Sequence, residues 1–280
     1  MLLRVRWRRP KTRSRLCFDH LMKRLTSRDN PFYKRLKALT GSVQQQRKSG
    51  VILLEGVHLA QAFLERGLEP DQCVVSESAL LLAEVQAITA RLDSSHVTVL
   101  PDALYHALST VANGVGLILL APLTAPVWPA RITGDCLILD GVQDTGNVGS
   151  ILRSAAAANI RAIFCVSGTA FAWAPKVMRA GMGAHFMLDI VEGVEAADIL
   201  AQLAVPVAIT DSHGAHAVFD TPLQGPLAWV FGNEGAGVSA QWRSAATHRV
   251  TIPQPGGMES LNVAAAAAVC LFEQVRQRRV

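Results

Sequence analysis

Three short segments of this 280-residue chain combine glycines with polar side chains of the kinds that bind ligands and assist reactions. Residues 140–153 read DGVQDTGNVGSILR, residues 231–239 read FGNEGAGVS, and residues 252–263 read IPQPGGMESLNV. Glycines let a backbone approach a ligand closely, while carboxylate, amide and guanidinium groups supply hydrogen bonds and charge. The three segments are therefore the first candidates for a functional site.

The first segment lies between an apolar run and a predicted helix, a place where free backbone N–H groups suit an anion. Asn147 is predicted to cap that helix, and Arg153 follows one to two turns later, on the side of Gly149. The segment contains neither Gly-Lys-Ser/Thr nor Gly-x-Gly-x-x-Gly, which excludes a P-loop and argues against a dehydrogenase. An ordinary strand–helix loop with a well-placed cap is the alternative interpretation.

The second and third segments each place polar side chains among glycines. Three glycines surround Glu234, and Ser260 and Asn262 stand at the start of a predicted helix. Asparagine has a low helix propensity, so its position there indicates a hydrogen-bonding role. A flexible turn and a plain helix cap are the alternatives for these two segments.

The surrounding elements predict how the segments are positioned. Strands are predicted at residues 136–139, 162–166, 205–210, 228–231 and 249–252, and helices at 148–158, 174–180 and 261–277. Strands separated by helices form a parallel sheet, and the ligands of such sheets bind beyond the carboxyl ends of the strands. All three segments follow strand ends, so we expect them to meet.

The amino-terminal half shows a similar α/β alternation. Helices are predicted at residues 31–39 (capped by Asn30), 57–65, 79–92 and 102–108, and strands at 51–54, 73–76, 97–100 and 115–120. The proline-rich residues 122–134 predict a linker. The expected organisation is a basic, disordered extension at 1–21, a first domain at 22–121, the linker at 122–134, and a second domain at 135–280.

Composition narrows the class of protein. Hydrophobic residues make up 50% of the chain and charged residues 18%, which excludes a disordered protein. No apolar run reaches the roughly 20 residues that span a bilayer. The five cysteines contain no Cys-x-x-Cys pair, so we expect no disulfide framework, no metal site and a reducing, cytoplasmic compartment. A net charge of +5 favours an anionic partner without identifying one.

Together, and in this order, the three segments resemble the signature motifs of the SpoU/TrmH family of RNA methyltransferases, in the SPOUT superfamily. The similarity covers about residues 135–273, and residues 175–186, PKVMRAGMGAHF, resemble a fourth family segment. Thr145 stands where the family usually has proline, and Ala264 stands where serine is frequent. Residues 27–56 are similar to the L30e-like RNA substrate-binding domain of many members.

The resemblance implies an α/β fold with two domains. These are a carboxyl-terminal parallel-sheet domain with a deep trefoil knot and a smaller amino-terminal L30e-like domain. It also implies a homodimer that transfers a methyl group from S-adenosyl-L-methionine to a ribose 2′-hydroxyl of RNA. The added amino-terminal domain favours large-subunit (23S) ribosomal RNA. A transfer-RNA 2′-O-methyltransferase and a non-catalytic RNA-binding or ribosome assembly protein are the alternatives.

The resemblance also implies roles for individual residues. The catalytic residues are expected to be Arg153, Asn147, Glu234, Asn262 and Ser260. The cofactor contacts are expected to be Gly232, Ile252, Leu261 and Thr210. Arginine stays protonated and is a poor base, so Arg153 is expected to hold the phosphate beside the target ribose. Asn147 would position Arg153 or the ribose, and Glu234 would orient Arg153 or the loop amides.

Basic residues cluster in the first domain and predict a face that contacts RNA phosphates. The members of this basic face are Arg28, Lys34, Arg35, Lys37, Arg47 and Lys48. A solvated surface is the alternative for any one of them. His185 is expected to be a structural or RNA-facing residue rather than a base, and no tryptophan is assigned to RNA.

Overall fold

The computed structural model describes residues 22–112, 114–123, 126–127, 129–211 and 216–279. Contacts divide the chain into two compact units, whose boundary in the sequence falls between residues 123 and 126. The expected extension at residues 1–21 lies outside the described residues. Within the described ranges, no helix is long and apolar enough to cross a membrane.

The amino-terminal unit is built on a five-stranded sheet. Its strands are β1 (Lys23–Arg24), β2 (Val51–Glu55), β3 (Gln72–Ser76), β4 (Val97–Leu100) and β5 (Leu117–Pro122). They lie in the order β1-β4-β3-β5-β2, and β5 runs antiparallel to both of its neighbours. The helices are α1 (Pro31–Gly41), α2 (Val43–Ser49), α3 (Val57–Glu65), α4 (Ala83–Thr89) and α5 (Asp102–His106). The unit is therefore a mixed α/β layer structure.

The start of α1 follows the prediction. The side chain of Asn30 accepts a hydrogen bond from the Phe32 amide, and Pro31 occupies the first turn. The single helix predicted at residues 79–92 is wrong, because Leu82 is extended (φ −85°, ψ 127°) and separates a 3₁₀ turn from α4. An extended residue interrupts the i→i−4 hydrogen bonds that a continuous helix requires.

The carboxyl-terminal unit contains a parallel sheet, as predicted, with seven strands where five were predicted. Its strands are β6 (Cys136–Asp140), β7 (Ala162–Val166), β8 (Asp189–Val194), β9 (Val207–Thr210), β10 (His216–Ala217), β11 (Ala228–Gly232) and β12 (His248–Thr251). Their order is β10-β12-β9-β11-β6-β7-β8. The helices are α6 (Thr145–Ala157), α7 (Pro175–Gly181), α8 (Ala196–Gln202), α9 (Ala240–Ala245) and α10 (Val263–Gln277).

The centre of this sheet explains the position of the candidate site. Every residue of β6 and β11 is buried, as expected for central strands covered on both faces. The pairing register places Gly232 beside Asp140 at the carboxyl ends of these two strands. The loops that follow β6 and β11 therefore leave the sheet side by side. Strand order does not describe how loops thread, so the trefoil knot stays a prediction from the resemblance.

Several elements of this unit were not predicted. These are strands β8 and β10 and helices α8 and α9. Strand β10 has only two residues and α9 only six, and β8 (DIVEGV) carries charged residues within its apolar pattern. Within the predicted linker, Pro122 belongs to β5 and Ile132 forms an isolated bridge with Leu203. In these segments, tertiary contacts stabilise strands and helices that the local sequence pattern does not predict.

A buried polar pair joins α10 to the sheet and predicts a large effect on stability. The indole N–H of Trp229 donates a 2.9 Å hydrogen bond to Oε1 of Gln274, and both side chains are almost fully buried. Gln274→Leu leaves the indole N–H without its acceptor, so we expect the free energy of unfolding to fall by about 2 kcal/mol. Urea denaturation measures the change. The exposed Arg279→Ala, at the same helix end, is the control, and equal stability of the two variants would contradict the expectation.

Candidate active site

The first segment forms the start of α6, which begins at Thr145 rather than near Val148. Its cap is Asp144, whose Oδ1 accepts a 2.7 Å hydrogen bond from the Asn147 amide. The prediction that Asn147 caps this helix is therefore wrong. Because a carboxylate three residues earlier satisfies the Asn147 N–H, the Asn147 side chain is left to bond elsewhere.

The side chain of Asn147 links the three glycine-containing segments. Its Nδ2 donates to Oε1 of Glu234 at 3.0 Å, and its Oδ1 accepts from Nδ2 of Asn262 at 2.9 Å. These residues are 87 and 115 positions apart from Asn147 in the chain. The structure thus confirms that the three segments meet.

The carboxylate of Glu234 also holds the backbone of the first segment. Its two oxygens accept hydrogen bonds from the amides of Gln143 and Asp144, each at 3.2 Å. Burial acts to raise the pKa of Glu234, but the hydrogen bonds from the Asn147 side chain and from backbone amides outweigh it, and the pKa lies below its ordinary value. Glu234 is therefore an ionised acceptor at neutral pH.

Asn262 serves both roles that the sequence left open. It caps α10, which begins at Val263, and its Oδ1 accepts from the amides of Ala264 at 2.9 Å and Ala265 at 3.2 Å. Its Nδ2 at the same time donates to Asn147. Capping fixes the orientation of the side chain, so the amide is already directed at its partner.

A cavity of about 370 Å³ lies beside this polar linkage. Its volume falls within the range of small-molecule binding sites. The lining residues are Thr210, Asp211, Gly232, Asn233, Glu234, Gly237, Val238, Val250, Thr251, Ile252, Gln254, Ser260, Leu261, Asn262, Val263 and Ala266. All four residues expected to contact the cofactor are present, and so are three of the five expected catalytic residues.

The wall of the cavity depends on the absence of a side chain at Gly232. A Cβ there would overlap the backbone of Gly237 and Val238, which also line the cavity. The strand end and the glycine loop therefore approach each other more closely than any other residue type allows.

Arg153 does not line the cavity. It is exposed on α6, and its side chain forms no hydrogen bond or ion pair within the described part of the chain. The expected contacts from Glu234 or Asn147 to Arg153 are absent from these residues, because Glu234 binds the loop amides and Asn147 binds Glu234 and Asn262. The guanidinium group is thus available to an anionic ligand.

Other candidates for chemistry have structural roles. His185 is buried, and its Nε2 lies 2.8 Å from the carbonyl oxygen of Ala172. Burial lowers the pKa of His185 to about 4, against the opposing effect of that hydrogen bond, so the ring is neutral and does not face RNA. Trp173, Trp229 and Trp242 are buried, while Trp128 lies outside the described residues. The described residues include no group of side chains that could hold a metal ion.

The expected RNA contacts lie in the amino-terminal unit, and all six side chains of the basic face are exposed. The ammonium group of Lys34 forms a 3.1 Å ion pair with the exposed Asp29. An ion pair between solvent-exposed side chains is weak, so Lys34 can exchange Asp29 for a phosphate.

Sequence reasoning missed several residues that shape the cavity. Gln254 and Val238 line it, and Asp140 hydrogen-bonds the amide of Ser239 in the adjoining loop. The available signal for Asp140 is its place as the first polar residue after a fully apolar strand.

Comparison with known proteins identifies relatives of the whole chain. The model of the SpoU rRNA Methylase family matches residues 135–272. A 23S rRNA (uridine(2479)-2′-O)-methyltransferase from Streptomyces viridochromogenes is 28% identical over 268 residues, which cover 91% of this chain and 93% of that protein.

Solved structures give the same result. An RNA 2′-O ribose methyltransferase has 31% identity and a TM-score of 0.77, with 92% of this chain and 100% of that chain covered. The SpoU methyltransferase AviRb from Streptomyces viridochromogenes, solved in complex with AdoMet, has 26% identity and a TM-score of 0.77, with coverages of 89% and 98%. With a shared fold over nearly its full length and the three motifs joined through the side chain of Asn147, this chain belongs to the SpoU rRNA methylase family.

Proposed function

We propose that this protein is an S-adenosyl-L-methionine-dependent methyltransferase that acts on a ribose 2′-hydroxyl of 23S ribosomal RNA. The observation that supports this most directly is the hydrogen-bonded linkage of Asn147, Glu234 and Asn262 at the edge of a ligand-sized cavity. The relative from Streptomyces viridochromogenes, which is similar over both units, is named for this reaction on 23S rRNA.

The cavity fits S-adenosyl-L-methionine in two respects. Gly232 lets the backbone of Gly237 and Val238 approach the strand end, and these residues line the cavity. The Oε1 atom of Gln254 is buried at this cavity and has no hydrogen-bond partner among the described residues, so it can accept from a donor on the ligand. We infer that Gly232, Ile252, Leu261 and Thr210 contact the cofactor.

The catalytic proposal assigns positioning and charge to the protein. When bound, S-adenosyl-L-methionine supplies an electrophilic methyl group. Arg153 holds the phosphate beside the target ribose and does not act as the base, because arginine stays protonated. The hydroxyl proton passes by way of that phosphate to solvent water as the methyl group is transferred. Asn147, held by Glu234 and Asn262, presents its amide to the ribose, and Ser260 completes the cavity wall. These groups align the oxygen with the methyl group.

The basic face of the amino-terminal unit is proposed to bind RNA phosphates. Log K for RNA binding falls linearly with log salt concentration. Neutralising three members of the face (Arg35→Ala, Lys37→Ala and Lys48→Ala) should make this fall less steep, with a slope smaller in magnitude by about 2. A filter-binding titration at several salt concentrations measures the slope. The control removes the same charge from the other unit (Arg161→Ala, Lys176→Ala and Arg279→Ala). Equal slopes for the two triple variants would mean that net charge alone matters.

We also infer a homodimer and a cytoplasmic location. The family resemblance supports the dimer, and a ribosomal RNA substrate places the enzyme where ribosomes are made. Sedimentation equilibrium of the purified chain distinguishes a dimer from a monomer.

The function is tested by methyl transfer. The protein is incubated with tritiated S-adenosyl-L-methionine and unmodified total RNA, which is then separated by size. The expected result is label in 23S RNA at one nucleotide whose linkage resists alkaline cleavage. Label in the transfer-RNA fraction would mean that the protein methylates transfer RNA instead of 23S RNA. Absence of cofactor binding in calorimetry would overturn the proposal in favour of a non-catalytic RNA-binding protein.

A further inference from the structure

Two charged side chains outside the residues assigned above hold one peptide group in the wall of the cavity. The amide of Ser239 donates a 2.7 Å hydrogen bond to Oδ2 of Asp140, and the carbonyl oxygen of Val238 accepts a 2.8 Å hydrogen bond from Nε of Arg243. The N–H and the C=O are the two ends of the same peptide, Val238–Ser239. A carboxylate thus binds its positive end and a guanidinium its negative end.

The environment of Asp140 indicates that this contact matters. Its side chain is only 8% exposed at the end of β6, and the hydrogen bond found for its carboxylate among the described residues is the one from Ser239. Burying a carboxylate is unfavourable unless it gains strong hydrogen bonds, and bonds to charged groups are roughly twice as strong as neutral ones. The hydrogen bond from the Ser239 amide therefore supports this buried side chain.

Arg243 secures the loop from the other side. Besides Val238, its guanidinium reaches the carbonyl oxygen of Ala236 at 3.4 Å. Elsewhere in the loop, Asn233 and Gly237 exchange two backbone hydrogen bonds, and the Glu234 carboxylate binds the first segment. The contacts from Asp140 and Arg243 are the charged ones that hold the Val238–Ser239 peptide, which follows that bridge.

Gly235 and Gly237 give the backbone of this loop unusual conformational freedom, so its order depends on the hydrogen bonds that hold it. If the wall must become ordered when the ligand binds, the loss of conformational entropy weakens binding. A wall that is ordered beforehand avoids this loss. Gly237 and Val238 line the cavity, so the order of this peptide bears directly on the ligand.

We propose that Asp140 and Arg243 form a charged clamp on the Val238–Ser239 peptide, and that this clamp sets the affinity for the cofactor by ordering the wall in advance. Both are positioning residues, since they act through the loop. The proposal rests on the proposed function, because it takes S-adenosyl-L-methionine as the ligand of the cavity.

The test is isothermal calorimetry with S-adenosyl-L-methionine on the full-length protein and its variants. Asp140→Ala and Arg243→Ala should each raise the Kd by about tenfold, with kcat at saturating cofactor unchanged. Asp140→Asn keeps an oxygen for the Ser239 amide and should stay within about threefold of wild type. Gln241→Ala, an exposed neighbour on α9, is the control for the helix itself.

The double variant Asp140→Ala/Arg243→Ala separates a shared clamp from two independent effects. Because both residues act on one peptide, its Kd should rise by clearly less than the product of the two single effects. Should Asp140→Ala fail to fold, Arg243→Ala carries the test, since that side chain is exposed. Single variants that bind as tightly as wild type, or strictly multiplicative losses, would overturn the clamp. A wild-type protein that does not bind the cofactor would instead overturn the proposed function.

Discussion

Replacing Arg153 by alanine is expected to lower kcat for RNA methylation by about 100-fold or more, because the target ribose loses the group that holds its phosphate in line. Arg153 does not line the cavity, so the Kd for S-adenosyl-L-methionine should stay within about twofold of wild type. Its side chain is exposed, and stability should be unchanged. The measurements are single-turnover methyl transfer and calorimetry of cofactor binding.

Two variants sharpen this experiment. Arg153→Lys retains the charge but lacks the planar fork that binds phosphate through two hydrogen bonds, so it should recover only part of the rate. Arg161→Ala removes an exposed arginine that follows α6 and should leave kcat unchanged. Undiminished turnover by Arg153→Ala would remove this residue from the mechanism. Equal losses in Arg161→Ala would point to net charge instead.

Replacing Gly232 by alanine is expected to weaken cofactor binding by about 100-fold, because the added methyl group must displace the backbone that forms the cavity wall. The atoms it would overlap belong to the backbone of Gly237 and Val238, which cannot swing aside as a flexible side chain does. The Kd from calorimetry measures the loss, and circular dichroism shows whether the sheet is intact.

Gly235→Ala provides a matched control in the same loop. A Cβ at Gly235 would meet only Oδ1 of Asn233 at 3.6 Å, an ordinary van der Waals contact. We therefore expect a Kd close to that of wild type. If Gly232→Ala binds the cofactor as tightly as Gly235→Ala does, the close approach at Gly232 has no part in binding.

Much of the fold followed from local signals in the sequence. The strands Val97–Leu100 and Ala162–Val166 and the helix Val57–Glu65 lie where the apolar patterns and capping residues predicted them. Strands that alternate with helices form a parallel sheet, so the parallel pairing of the second sheet could be predicted too. Short elements such as α9 have too few residues for a helical periodicity of apolar residues to be detected. Their formation depends on packing against the sheet.

The sequence by itself indicated which segments form the candidate site, because glycines and polar residues occur together at three strand ends in the order of the family motifs. It also determined that these segments meet, since the carboxyl ends of parallel strands share one edge. The sequence did not determine which residue caps α6. Asp144 and Asn147 are both good capping residues in sequence. Only the structure shows that Asp144 is the cap and that the side chain of Asn147 binds Glu234 and Asn262.

The tertiary structure alone decided the finer arrangement of the site. Hydrogen bonds between residues 87 to 115 positions apart depend on distances that no local pattern encodes. The same holds for the pairing of Asp140 with the Ser239 amide, 99 positions away, and for the separation of Arg153 from the cavity. Local propensity specifies elements and their ends, whereas the partners of a side chain are fixed only when packing brings distant strand ends together.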